Sequence, residues 1–215
     1  LKKTLEENAT LREAHENGMK FHFISRELYR QKTSFGFIEK MKNKWGDFYL
    51  VPEGGTNCLA VEGCEEILTE EDAQFDYVCS AVGTGGTISG IIKSLKKHQK
   101  VLGFPALKGS FLSEEIKKYT IRKDNWKLQK NYHFGGYAKY NEELITFIND
   151  FSLETGVLLD PIYTGKMLFG IVDLIKKDHF EKGTKILAVH TGGLQGIDGF
   201  NKILSKKGEQ IIKSL

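Results

Sequence analysis

Three glycine-rich turns, each placed directly after a short apolar strand, constrain this chain more than any other feature. Val51 is followed by Pro52-Glu53-Gly54-Gly55-Thr56-Asn57, and Ser80 by Ala81-Val82-Gly83-Thr84-Gly85-Gly86-Thr87. His190 is followed by Thr191-Gly192-Gly193-Leu194-Gln195-Gly196. Glycine supplies 23 of the 215 residues but proline only 3, so the glycines mark turns rather than a flexible linker. Helical and strand patterns alternate between the turns, which predicts an α/β fold: an open, mostly parallel twisted sheet with helices on both faces. In such a sheet ligands bind outside the carboxyl ends of the strands, so glycine-rich turns at that edge point to a ligand cleft.

The pattern predicts helices over Asn8–Asn17, Thr33–Lys44, Asn57–Leu68, Thr87–His98, Asn141–Thr155 and Gly165–Lys177, with a last one after Gly196. A short helix is expected near Ser113–Tyr119, in a stretch from Ala106 to Asn131 that is otherwise hard to place. Strands are predicted over Lys20–Ile24, Asp47–Val51, Phe75–Ser80, Lys100–Phe104 and Lys185–His190. A boundary is expected at the Pro-Gly-Gly break, dividing the chain into residues 1–46 and 47–215.

Composition narrows the function classes. A formal net charge of +3 is too small to imply a nucleic-acid partner. The longest apolar runs, such as Ile186–Val189, are far too short to span a bilayer. Cys58, Cys64 and Cys79 form no CxxC pair, which argues against a disulfide framework or a zinc site and fits reduced thiols in a cytoplasmic protein. No metal ligand set is expected. Leu1–Glu6 has no apolar signal-peptide core, and without an initiator Met the start of the chain is not expected to be a natural start. The lysine runs Lys93–Lys97 and Lys202–Lys207 read as solvated helix faces, and Cys79 as a packing residue.

The second turn carries the most chemistry. Glycines there let backbone N–H groups converge, the helix starting near Thr87 adds its positive end, and the hydroxyls of Thr84 and Thr87 can add donors. No Lys follows the glycines as a Walker A loop requires, and Ile88 stands where a GxGxxG motif needs its third glycine. A small phosphorylated cofactor is therefore favoured over a nucleoside triphosphate or a dinucleotide. The plain alternative is a tight turn that needs glycine only for its dihedrals.

Ser80–Thr87 resembles the phosphate loop of fold-type-II pyridoxal-phosphate (PLP) enzymes, whose fold is that of the tryptophan synthase β-chain. Asp160-Pro161-Ile162-Tyr163-Thr164-Gly165-Lys166, His190-Thr191-Gly192-Gly193 and Val51–Asn57 resemble the family of D-cysteine desulfhydrases and 1-aminocyclopropane-1-carboxylate (ACC) deaminases, from about Leu11 to Gly199. The resemblance implies PLP as cofactor, a small amino acid as substrate and a homodimer. It implies that Gly83, Thr84, Gly85, Gly86 and Thr87 bind the phosphate, that Tyr137 and Tyr163 are the active-site tyrosines, and that Thr164 and Thr191 contact the cofactor. A phenol beside the cofactor's positive charge can have a lowered pKa and act in proton transfer. Thr191 is expected to reach the pyridine nitrogen, and His190 to be a satisfied core histidine. The family's Schiff-base lysine lies in a Gly-Asn-Lys stretch followed by Ser-Asn-Gln, and neither stretch occurs here. The resemblance thus implies an N-terminally truncated chain: residues 1–46 as a remnant of the small domain, 47–215 as the C-terminal part of the large PLP-binding domain, and no catalysis by this stretch alone.

In ACC deaminases of that family a glutamate follows the matching tyrosine and pairs with the pyridine nitrogen, and leucine matches Thr191. Desulfhydrases have threonine at both positions, as here. A carboxylate keeps the ring nitrogen protonated and strengthens the electron sink that ring opening needs. β-Elimination has a thiolate leaving group and needs less. The expected activity of the complete protein is therefore D-cysteine desulfhydrase, yielding sulfide, ammonia and pyruvate, with ACC deaminase as the alternative. A non-catalytic PLP or metabolite-binding protein would suit the missing lysine. A nucleotide-binding module would need an acid after Lys100–Phe104 to hold a ribose, and Pro105-Ala106 follow instead.

Overall fold

A computed structural model describes residues 8–121 and 124–213. The chain divides into two compact units between Val51 and Pro52.

Among its described residues the first unit holds helices α1 (Ala9–Glu16), α2 (Arg26–Arg30) and α3 (Phe35–Trp45). Each is started by a side-chain cap: Asn8, Ser25 and Ser34 accept the N–H groups of Leu11, Leu28 and Phe37. Gly46, at φ 80°, ends α3. The strands expected at Lys20–Ile24 and Asp47–Val51 do not form. Strands exist through pairing, and neither segment has a partner among the described residues. Instead Ile24, Phe48 and Leu50 join Phe37, Ile38 and Met41 of α3 around an apolar groove.

The second unit begins with α4 (Cys58–Glu65), capped by the Asn57 side chain on Ala60 N–H. It continues through β1 (Tyr77–Val82), α5 (Gly86–Ser94), β2 (Lys100–Pro105), α6 (Phe111–Lys117) and β3 (Trp126–Leu128). The remaining elements are α7 (Glu142–Thr155), α8 (Thr164–Lys176), β4 (Ile186–Val189) and α9 (Ile197–Lys206). Among the described residues the strands form one four-stranded sheet in the order β3-β2-β1-β4, with every pair parallel. Tyr77 of β1 stands opposite Lys100 of β2 and Ile186 of β4, and Val82 opposite Pro105.

Alternation along β1 sends side chains into two cores. Val78 and Val82 pack with Ile88, Ile91 and Ile92 of α5 and with Leu112 and Ile116 of α6. Cys79 and Ala81 face the other way, toward Met167, Ile171 and Leu174 of α8. Helices therefore cover both faces of a parallel sheet, as the alternating pattern predicts. Burying each of these aliphatic side chains contributes about 1.5–3 kcal/mol. Burial also pushes the Cys79 thiol up to about 12, which leaves it as packing.

Glycine lets the layers close. A Cβ at Gly90 of α5 would lie 2.4 Å from Cys64 Cβ and 2.6 Å from the Val61 carbonyl of α4. A third cluster joins Leu144, Ile145 and Ile148 of α7 to Ile197, Phe200 and Leu204 of α9. No helix among the described residues is long and apolar enough to cross a membrane.

Candidate active site

The carboxyl ends of β1 and β4 open onto a cleft of about 340 Å³, lined by Gly54, the 81–88 segment, Tyr163, Thr191–Gly193 and Gln195. That is the lower end of the range for small-molecule sites, about 300–1,000 Å³. Gly83, Thr84, Gly85, Gly86, Thr87, Tyr163 and Thr191 come together here from three separate stretches of sequence.

The cup is built on α5. Gly85 precedes it at φ 96°, a left-handed conformation suited to glycine, and no side chain caps the helix. The first N–H groups of a helix have no intrahelical acceptor, so those of Gly86, Thr87 and Ile88 are free to converge on an anion. Side chains at the glycines would close the space. A Cβ at Gly83 would sit 3.3 Å from the Tyr163 ring, and one at Gly86 would sit 2.8 Å from Thr56 Oγ1. Thr56 and Thr84 share a hydroxyl hydrogen bond of 2.5 Å at the rim.

Tyr163 is placed by Asp160. One carboxylate oxygen accepts the N–H groups of Ile162 (2.8 Å) and Tyr163 (2.9 Å), and the other accepts Thr164 N–H and Thr164 Oγ1 (both 2.7 Å). Asp160 is 2% exposed, so this fourfold acceptance satisfies a buried charge. The Tyr163 ring then lies between Gly83 and Tyr137, whose ring centroid is 6.2 Å away in an edge-on arrangement. Burial first, then the neighbouring Tyr137, push the Tyr163 phenol up to about 12. The protein's own groups thus act against the lowering expected from a cofactor's charge and favour the protonated phenol of Tyr163.

Thr164 is where the geometry departs from the expectation. It is fully buried, it does not line the cleft, and its hydroxyl both donates to Asp160 Oδ1 and accepts Asp160 N–H. Its one O–H is spent on Asp160, in the turn ahead of α8, so no donor remains for a cofactor. Thr191, in contrast, is exposed in the lining.

His190 is also not a core residue, being exposed, although both ring nitrogens are satisfied. Gly192 N–H donates to Nδ1 at 3.2 Å, so Nε2 carries the proton and donates to the Leu158 carbonyl at 3.0 Å. This bond sets the turn that presents Thr191.

Sequence reasoning overlooked Gly54, Gln195 and the organising role of Asp160. The spacing Asp160-x-x-x-Thr164 ahead of an apolar helix was the signal for the last. Among the described residues no group of three or more His, Cys, Asp or Glu side chains could hold a metal. Lys166 is outside the lining and donates to two backbone carbonyls.

A parallel α/β sheet with a backbone anion cup at its carboxyl edge, Tyr163 in the cleft lining and Tyr137 outside the lining but beside that ring, fits a small-molecule site for a phosphorylated cofactor. The chain belongs to the pyridoxal-phosphate-dependent enzyme family, which it matches over residues 6–192. PLP is that family's cofactor, and the uncapped N–H groups at Gly86–Ile88 with the side-chain-free space at Gly83 and Gly86 fit its phosphate.

A Pyrococcus horikoshii protein provisionally named a 1-aminocyclopropane-1-carboxylate deaminase is 31% identical over 210 residues, covering 85% of this chain and 63% of its own length. The bifunctional D-cysteine desulfhydrase/1-aminocyclopropane-1-carboxylate deaminase of Arabidopsis thaliana mitochondria is 31% identical, covering 84% of this chain and 51% of its own. A crystal structure described as an ACC deaminase homologue superposes with a TM-score of 0.70 at 28% identity, over 89% of this chain and 64% of that one. The chain thus spans about half to just under two thirds of the length of these relatives, and its fold is fold type II of the PLP enzymes.

Proposed function

We propose that the complete protein is a PLP-dependent lyase acting on a small amino acid, and that its chemistry is β-elimination of the D-cysteine desulfhydrase kind. The observation that carries this reading is the absence of any carboxylate among the described residues that line the cleft. Thr164 stands where a deaminase of this family has glutamate, and Asp160, which lies behind the lining residue Gly193, is consumed by four hydrogen bonds from its own turn. Thr191 is then the residue left to meet a pyridine nitrogen. A hydroxyl there protonates the ring less firmly than a carboxylate does, which suits a reaction with a good leaving group.

When bound, PLP supplies the electron sink that makes the α-proton of an amino acid acidic. This chain's residues do the rest. The N–H groups at the start of α5 hold the phosphate, and Thr84 and Thr87 border it. Tyr163 and Tyr137 stand beside the substrate and move a proton there. Residues 1–46 read as part of a smaller domain, and the homodimer follows from the family resemblance alone. The names of relatives lean toward ACC deaminase, and ring opening is the competing outcome of the test.

The test supplies the complete protein with PLP and offers D-cysteine and ACC separately. D-Cysteine plus water yields pyruvate, sulfide and ammonia, whereas ACC plus water yields 2-oxobutyrate and ammonia. Pyruvate from D-cysteine, without 2-oxobutyrate from ACC, supports elimination. Turnover of ACC alone overturns it, and turnover of neither removes the enzymatic reading.

A further inference from the structure

We propose that Lys166 is a positioning residue: its side chain bridges the two backbone turns around Tyr137 and thereby sets that phenol against Tyr163. This rests on the reading that the two tyrosines serve one reaction.

Lys166 lies in the first turn of α8, three positions after Tyr163, and is 1% exposed. Its Nζ donates to the carbonyls of His133 at 3.0 Å and Gly136 at 2.8 Å. Each of these carbonyls also closes a backbone turn. Gly136 N–H donates to His133 O at 3.0 Å, and Lys139 N–H donates to Gly136 O at 3.1 Å. The two turns share Gly136, and Tyr137 sits inside the second. One buried side chain therefore ties both turns to the helix that carries Tyr163.

The loop needs such a tie. Phe134 (φ 53°), Gly135 (96°), Gly136 (124°) and Ala138 (54°) all lie in the left-handed region. That conformation is unfavourable for Phe and Ala and persists only where surrounding contacts over-determine it. His133 adds one such contact by accepting Gly135 N–H on Nδ1 at 2.9 Å. Tyr137 itself is 53% exposed, so its position comes from its backbone rather than from packing around its ring.

Burying a lysine is costly, and an apolar side chain would fill the same space without that cost. What only the lysine brings is a set of donors that reach two carbonyls at once. Burial pushes its pKa down to about 8, with the Asp160 carboxylate acting in the opposite direction. The bridge survives this titration, because an ammonium has three N–H donors and a neutral amine still has two.

The test reads geometry without cofactor or substrate, on the full chain labelled at tyrosine Cζ for carbon NMR. Burial first, and then the neighbouring Tyr137, push the Tyr163 phenol up to about 12 in the parent protein. Tyr137→Phe should lower that value. Lys166→Met is expected to lower it by the same amount, and the double variant no further. The amides of Gly136 and Lys139 should exchange about tenfold faster or more in Lys166→Met, while those of α7 keep their rates. If Lys166→Met fails to fold, Lys166→Gln, which reaches at most one carbonyl, should give a partial shift. An unchanged Tyr163 titration, or exchange that accelerates equally across the whole unit, overturns the proposal. Failure to find lyase activity would remove the functional reading but leave this outcome standing, since neither readout uses the reaction.

Discussion

The Thr164 hydroxyl donates to Asp160 Oδ1 at 2.7 Å while accepting the Asp160 N–H at 3.0 Å, so the residue that follows Tyr163 faces inward rather than toward the cleft. Installing the deaminase glutamate by Thr164→Glu would place a second carboxylate against Asp160 at a fully buried position. The variant should lose about 3–5 kcal/mol of stability, the scale of an uncompensated buried charge, and should gain no ACC turnover. Urea unfolding with a product assay checks both. Wild-type stability together with 2-oxobutyrate formation would sink the argument.

Gly85 holds φ 96° at the entry to α5, and a Cβ there would come within 3.2 Å of Ile116 Cγ1. Gly85→Ala should cost about 1–2 kcal/mol of stability. It should also weaken PLP binding about tenfold or more, since the cup is made of backbone donors aimed by that turn. Gly196→Ala is the control, with φ −76° and nothing within 4 Å of the added carbon. Equilibrium dialysis of both variants against PLP separates the two cases.

Tyr163→Phe keeps the ring against Gly83 and removes only the phenol oxygen. Turnover by the complete protein should fall about 10²–10⁴-fold, the range for loss of a proton-transfer group. Stability should change by about 1 kcal/mol or less. With the phenol pushed up to about 12, the cofactor-free chain should show no Tyr163 phenolate at pH 9 by ultraviolet titration. Phenolate appearing there would mean the burial argument misjudges the site.

Lys166 gives stability a definite pH slope. Its folded pKa, about 8, lies below the ordinary lysine value of 10.5, so the native state loses a proton that the unfolded chain still binds. The unfolded state therefore carries more protons across that window, and ΔG of unfolding rises as pH climbs from about 8 toward 10.5. Below pH 8 the native protein bears the buried charge at full cost. Lys166→Met lacks this term, so the parent-minus-variant difference should grow more favourable to the parent between pH 7.5 and about 10. A flat difference would show that the ammonium is not desolvated.

Much of this architecture could be read before any coordinates, for local reasons. Asn141 accepting Leu144 N–H and Gly156 at φ 72° bound α7 where polar cap and glycine stop predict. The parallel sheet followed from strands that are apolar on both faces, as Val78 and Cys79 illustrate by packing into opposite cores. What misled was anything decided by a distant partner. Lys20–Ile24 has the side chains of a strand but no neighbour to pair with. β3 is three residues long, too short for any period, and stands only because Val101 and Gly103 pair with Trp126 and Leu128. In the site, the glycine turns were legible because the backbone itself is the ligand. Thr164 was not, because its role depends on where the Asp160 carboxylate points.

The helices α5 and α8 both start at the cleft, and their ends are prepared differently. Asp160 fills the opening turn of α8 with a permanent internal anion, whereas α5 begins at Gly85 with no cap at all. The cleft therefore offers a negative group one berth and refuses it the other. Free phosphate or sulfate should compete with PLP at a single position, and a ligand carrying two phosphates would find its second charge facing a carboxylate.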